Sequence, residues 1–119
     1  MRRLLLASLV ATCLASAAQA QGRQDFAMVN RTGYQIDEVY IGPSSSPNWG
    51  RDILGQNVLA NGRTFNVTFS GGSSECLWDI KVVYADRDQS ELRQVNLCRV
   101  STITMFWDRQ RNGTRFVAE

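Results

Sequence analysis

The chain has 119 residues, with 13 lysines and arginines, 11 aspartates and glutamates, and no histidine. Because histidine is absent, Ser–His and Cys–His nucleophile pairs and histidine-based metal sites are excluded. Two of the basic residues, Arg2 and Arg3, lie in a predicted leader over residues 1–20. Residues 21–119 then carry 11 basic and 11 acidic residues. A neutral domain has no long-range field that attracts a polyanion, so we expect no nucleic-acid partner.

Residues 1–20 have the pattern of a secretory signal peptide. A basic head is followed by an apolar run over residues 4–15 and by an A-x-A cleavage site at residues 18–20. The apolar run is shorter than the roughly 20 residues that span a membrane. We therefore expect cleavage after Ala20, a single domain over residues 21–119, and a periplasmic or secreted protein with no membrane span after cleavage.

Cys13 raises the alternative of a lipoprotein. Lipid attachment usually requires a small Gly, Ala or Ser directly before the cysteine, and this chain has Thr12 there. The apolar run also continues past Cys13 to the A-x-A site. We therefore expect cleavage after Ala20 rather than lipid attachment through Cys13. Arg2 and Arg3 also raise the alternative of the twin-arginine route, but the polar residues expected around such a pair are missing, so we expect the general secretory route.

Short, β-rich segments separated by polar turns follow the leader. Residues 25–30 and 34–41 flank a turn that ends at Gly33, and they predict a first hairpin. Residues 52–59 predict a single helical turn. Further strands are predicted over residues 64–70, 76–84, 91–97, 100–107 and 114–117. This pattern predicts an all-β fold, an antiparallel β-sandwich or small barrel of six to seven strands with one disulfide.

Cys76 and Cys98 are the two cysteines that remain after the predicted cleavage. An exported protein with two cysteines most simply forms one disulfide. The segment between them predicts a hairpin centred on Arg87, which places the two cysteines opposite each other. The same register would place Lys81 opposite Arg93, an unfavourable pair of like charges. We therefore expect a β-bulge in the returning strand, between residues 92 and 95.

The chain contains four short motifs: N-x-T-G at residues 30–33, W-G-x-D-x-L-G at 49–55, C-x-W-D-I at 76–80 and V-N-L-C at 95–98. Together they resemble a group of small exported bacterial proteins of unknown function, over about residues 26–105. The resemblance implies a shared fold. It implies no activity, ligand or catalytic residue.

The loop over residues 43–52 is the leading candidate for recognition. It is long and polar, and it carries Asn48, Trp49 and Asp52. An exposed tryptophan on such a loop suits a sugar face or a partner groove. In the alternative, Trp49 folds back over a sheet edge. We expect the other aromatic side chains in the core and at its rim rather than on a stacking platform; they are Tyr34, Tyr40, Trp78, Phe106 and Trp107.

Two sets of oxygen-bearing residues are weaker candidates. Asp86, Asp88 and Ser90 offer calcium ligands at alternate positions, but the glycine of a calcium loop is missing, and a solvated hairpin tip is the alternative. Asp79 lies within an apolar strand. Asp79 either faces outward or accepts hydrogen bonds from the backbone or from an arginine such as Arg93 or Arg99. We favour such a structural clamp over a catalytic acid.

The sequence contains no catalytic motif and implies no cofactor. We expect a non-enzymatic binding module of the bacterial envelope, with a protein or an envelope glycan as its partner. One alternative is an inhibitor or protective factor that acts on an envelope hydrolase. The other is a carboxylate-based hydrolase with Asp79 or Asp52 at its centre.

Overall fold

The computed structural model describes residues 23–70 and 73–119. The predicted signal peptide, including Cys13, lies outside the described residues. The described part of the chain contains seven strands and no helix: β1 (Phe26–Arg31), β2 (Ile36–Pro43), β3 (Thr64–Val67), β4 (Leu77–Tyr84), β5 (Gln89–Asn96), β6 (Thr102–Asp108) and β7 (Gly113–Ala118). Accordingly, no helix in those two ranges has the length and apolar character needed to cross a membrane.

The strands form two sheets. Sheet A has the order β3-β1-β6-β7, and its two central strands, β1 and β6, are parallel. Sheet B has the order β2-β4-β5 and is antiparallel. The predicted all-β sandwich of six to seven strands is confirmed, but it is not antiparallel throughout as predicted, because β1 and β6 pair in parallel.

The predicted first hairpin is wrong, because β1 and β2 belong to different sheets. Both edges of β1 are occupied, one by β3 and the other by β6, so β2 has no free edge of β1 to pair with. The turn that ends at Gly33 instead carries the chain from one sheet to the other. Local residue preferences indicated two strands and a turn correctly, but not which strands pair.

Apolar side chains from the facing surfaces of the two sheets form the core. Strand β1 shows the alternation clearly: Phe26 and Met28 are buried, whereas Ala27 and Val29 are half-buried. Apolar residues with no exposed surface lie on β1, β2, β4 and β6 and just after β5; they are Met28, Ile36, Val39, Ile80, Val82, Leu97, Ile103 and Met105. This burial is the main source of stability for a domain of this size.

Hydrogen bonds link sheet B to β7 of sheet A and to the segment that leads into β3. Ile36 on β2 exchanges two backbone bonds of 3.0 and 2.8 Å with Leu59, which lies outside both sheets. The Thr114 hydroxyl on β7 donates to the Ser90 hydroxyl on β5 across 2.7 Å. The segment with the predicted helical turn forms two successive turns instead, closed by Gly55 and Asn57.

The β4–β5 hairpin turns slightly earlier than predicted. The Tyr84 amide donates to Asp88, which leaves a three-residue loop whose last residue, Arg87, has a φ of 73°. A left-handed residue at the end of such a loop is a common hairpin geometry. As a result Gln89 and Ser90, predicted as part of the turn, already belong to β5.

The predicted bulge is confirmed. Trp78 pairs with Val95 and Ile80 with Leu92, so the two residues 93–94 lie opposite the single residue Asp79. Between the bulge and the turn, Lys81 faces Glu91 and not Arg93, because the hairpin turns earlier than predicted. Two unlike charges replace the unfavourable pair that the simple register would have formed.

The predicted disulfide between Cys76 and Cys98 is present. Their Cα atoms are 5.2 Å apart, and the two cysteines lie just outside the ends of β4 and β5. The bond therefore closes the open end of the hairpin, opposite its turn.

Cys98→Ser should lower the free energy of unfolding by about 3 kcal/mol, because the bond closes a loop of 22 residues in the unfolded chain. Urea denaturation of the parent and the variant, each with and without reductant, measures this. Reduction should bring the parent to the stability of the variant and leave the variant unchanged. Equal stability of the oxidised parent and the variant would contradict the prediction.

Candidate functional site

A cleft of about 490 Å³ opens at one end of the sandwich, and we call it the aromatic cleft. Three connections that are distant in sequence frame it: β1–β2, β4–β5 and β6–β7. Its lining residues are Tyr34, Gln35, Tyr84, Ala85, Asp86, Asp88, Trp107 and Asn112. The volume lies within the range of about 300–1,000 Å³ that is typical of small-molecule sites.

Three aromatic rings form one wall of the cleft. The Trp107 ring lies 5.5 Å from Tyr34 and 5.6 Å from Tyr84 between centroids, and both pairs are edge-to-face. Tyr34 and Tyr84 are also edge-to-face, at 6.5 Å. Each ring thus braces the other two. Tyr84 is buried, whereas 53% of Tyr34 remains exposed.

The turn after β1 holds Tyr34 in place. The buried Asn30 side chain donates to the Tyr34 carbonyl across 2.8 Å, and its oxygen accepts bonds from the Thr32 amide and hydroxyl. The Thr32 hydroxyl in turn accepts the Tyr34 amide at 3.1 Å. Gly33, between them, has a φ of +86°, a conformation that favours glycine. These residues are the N-x-T-G motif, which therefore sets the position of the exposed tyrosine.

Tyr84 anchors the back of the cleft. Its hydroxyl hydrogen-bonds the Thr114 hydroxyl on β7, which continues to Ser90 on β5. Burial raises the pKa of the Tyr84 phenol above its ordinary value. The phenol therefore stays protonated at neutral pH, and it positions the ring rather than supplying a base.

The charged groups that line the cleft are both acidic, Asp86 and Asp88. Arg87 lies between them in sequence, but its side chain forms a salt bridge with Glu38 on β2. Hydrogen bonds from Tyr40 and Arg87 hold the pKa of the Glu38 carboxyl below its ordinary value. The arginine is thus paired with a carboxylate outside the cleft lining.

The predicted recognition loop packs against the outer face of sheet B. Trp49 is half-buried, and its ring lies under two cations, 5.1 Å from the Lys81 ammonium and 4.9 Å from the Arg93 guanidinium. The loop passes so close to β2 that a Cβ at Gly42 would lie 2.7 Å from the Asn48 carbonyl oxygen. Asn48 itself is exposed.

Asp52, the third predicted residue of that loop, has a structural role. Its carboxylate accepts the backbone amides of Val39 and Leu54, at 2.9 and 3.0 Å, and so ties the end of the loop to β2. The loop therefore presents Asn48 to solvent, holds Trp49 on the sheet and uses Asp52 as an anchor. Whether it binds a partner stays a prediction.

Asp79 is a clamp at the bulge. It is buried, and its carboxylate accepts bonds from the Arg93 guanidinium, the Gln94 amide and the Ser44 hydroxyl, at 2.9, 2.9 and 2.8 Å. Gln94 has a φ of 53°, the backbone conformation of the bulge. Burial by itself raises the pKa of the Asp79 carboxyl, but these hydrogen bonds outweigh it and the pKa lies below its ordinary value.

Two of the predicted calcium ligands, Asp86 and Ser90, make separate structural contacts. Asp86 accepts the Asp88 amide at 3.0 Å and so stabilises the hairpin turn. The Ser90 hydroxyl accepts a hydrogen bond from Thr114 on β7 of the other sheet. Among residues 23–70 and 73–119, no three cysteine or acidic side chains are grouped as metal ligands.

Sequence reasoning missed the aromatic cleft. Tyr34, Tyr84 and Trp107 belong to three different connections or strand ends, and no local spacing relates them. Only the N-x-T-G motif carried a signal, since a polar residue at an inward position of β1 marks a buried hydrogen-bond network.

Searches against protein-family models, curated proteins and solved structures return no match for this chain. The resemblance noted above therefore stays a prediction, and the site has to be interpreted from its own geometry.

Asp79→Asn should lower the free energy of unfolding by about 2 kcal/mol, because hydrogen bonds to a buried carboxylate contribute about 1.5–3 kcal/mol. The folded-state pKa of Asp79 is lowered, so this contribution is complete above the ordinary aspartate pKa of about 3.9. The contribution to stability disappears as the pH falls through the lowered pKa of the folded-state Asp79 carboxyl.

Urea denaturation from pH 7 down to pH 2 tests this. The stability gap between parent and variant should be widest near neutral pH and should close in acid. Asp37→Asn is the matched control, because its carboxylate accepts an exposed side-chain bond from Gln35. A gap that does not depend on pH, or one equalled by the control, would contradict the role assigned to Asp79.

Proposed function

We propose that this chain is an exported binding module of the bacterial envelope, and that the aromatic cleft is its ligand-binding surface. One observation carries the proposal. Tyr34 is 53% exposed, yet hydrogen bonds between its backbone and the Asn30 and Thr32 side chains, together with two ring contacts, hold it in one position. A large exposed aromatic side chain on a rigid support is typical of a recognition site.

The carboxylates of the hydrolase alternative are engaged elsewhere. Asp79 accepts hydrogen bonds on both carboxylate oxygens, and Asp52 accepts two backbone amides on Oδ1. A general acid or base needs an oxygen within reach of a substrate proton. These contacts favour binding over hydrolysis as the role of this chain.

Export is the second part of the proposal. A disulfide on a domain of this size is typical of proteins that fold in an oxidising compartment. When the full chain is expressed with its own N-terminus in a bacterial host, the protein from the periplasm or medium should begin at Gln21. Intact-mass measurement reads this directly. A protein that keeps residues 1–20, or one lipidated at Cys13, would contradict it.

A capture experiment compares the aromatic cleft with the loop over residues 43–52. The full chain is produced through its own export route, immobilised, and exposed to solubilised bacterial envelope as parent, Tyr34→Ala and Trp49→Ala. We expect a component that the parent and Trp49→Ala retain and Tyr34→Ala loses, with the circular dichroism of all three unchanged.

The reverse pattern would move the binding surface to the loop and contradict the assignment to the cleft. Equal retention of the component by all three proteins would contradict a binding role for the aromatic cleft and for the loop.

A further inference from the structure

We propose that the aromatic cleft binds an organic cation, an ammonium or alkylammonium group held against the Tyr34 and Trp107 rings and facing the carboxylates of Asp86 and Asp88. This inference rests on the proposed function, since it names the ligand class of the same site. It follows from three features of the cleft: the orientation of its rings, the sign of its charges and its size.

The rings offer negative potential to a cation. An aromatic ring carries its negative charge on its faces, and a cation within about 6 Å of a ring centroid is attracted to it. Tyr84 is buried, but the Tyr34 and Trp107 rings both line the cleft and stand at 78° to each other, so their faces are nearly perpendicular. A rounded cation can meet both faces at such a corner, whereas a flat ligand stacks on one.

The charges in the lining select for a positive ligand. Asp86 and Asp88 both line the cleft, and both are exposed. No arginine is among the lining residues, and Arg87 and Arg111, each next in sequence to a lining residue, form salt bridges with Glu38 and Asp108. The lining therefore combines aromatic faces with net negative charge, which is the chemistry that recognises quaternary ammonium groups and lysine side chains.

The protein already contains one cation held against aromatic rings. On the outer face of sheet B, the Lys81 ammonium lies 4.7 Å from the Tyr40 centroid and 5.1 Å from that of Trp49. That cation comes from the chain itself, so the surface is satisfied. In the cleft the corresponding cation would come from a ligand, and the 490 Å³ volume leaves room for one.

The test titrates the exported protein with choline chloride and follows its amide and indole signals by nuclear magnetic resonance. The control is the neutral isostere of choline, in which a tert-butyl group replaces trimethylammonium. We expect choline to shift the signals of Tyr34, Ala85, Trp107 and Asn112. The isostere should bind at least about fivefold more weakly, the effect of one cation–π contact.

Two variants separate the contributions of the ring and the charge. Tyr34→Phe keeps the aromatic face and should retain binding, whereas Tyr34→Leu keeps an apolar side chain without the face and should weaken it about fivefold. Asp88→Asn keeps the size of the side chain, removes one charge and should also weaken choline binding. The unchanged amide spectrum away from the cleft shows that each variant is folded.

Two further probes distinguish the sources of the cation. Glycerophosphocholine represents a lipid headgroup, and Nα-acetyl-lysine amide represents a protein side chain. The compound that binds more tightly, as measured from the cleft signals, identifies the source of the cation. Preference for either compound supports the organic-cation inference.

Equal binding of choline and its isostere, or of Tyr34→Phe and Tyr34→Leu, would overturn the organic-cation inference while leaving the cleft as a binding site. A neutral oligosaccharide that shifts the cleft signals when choline does not would do the same. If none of these probes moves the cleft signals, and the envelope capture does not depend on Tyr34, the proposed function fails as well.

Discussion

The Asn30 side chain links β1 to the turn that carries Tyr34 and to Leu59, which pairs with β2. It has no exposed surface, and its amide uses all of its hydrogen-bonding capacity: it donates to the carbonyls of Tyr34 and Leu59 and accepts twice from Thr32. Its backbone also bonds Arg63 and Gly62. Because an unpaired buried amide costs about 1–3 kcal/mol for each lost partner, this network is stable only when the surrounding chain segments are all in place.

The position of the aromatic cleft depends on that network. Asn30 holds the carbonyl of Tyr34, and Leu59, bonded by the same amide, also pairs with the first residue of β2. The point where the chain crosses between the sheets is therefore also the point where the exposed ring is presented. A binding surface built in this way changes little in shape when a ligand arrives, so little ordering entropy opposes binding.

Residue patterns predicted the elements better than their partners. The cysteines and the like-charged pair of Lys81 and Arg93 were sufficient to predict the disulfide and the bulge, because a hairpin relates residues that are close in sequence. The pairing of β1 could not be predicted in this way, since its neighbours are β3 and β6. The cleft was missed for the same reason. Its aromatic residues lie at Tyr34, Tyr84 and Trp107, and only the assembled fold brings them together.

The parallel pairing in sheet A also determines the order in which the chain can fold. Strand β1 comes first among the strands, yet it lies between β3 and β6, and Ala27 is in register with Thr102 near the other end of the chain. Contacts between such distant residues carry a large loop-closure cost and form slowly. The β4–β5 hairpin, by contrast, is local and is closed by its own disulfide. When the chain emerges with its N-terminus first, one edge of β1 therefore stays unpaired until β6, near the C-terminus, has emerged as well.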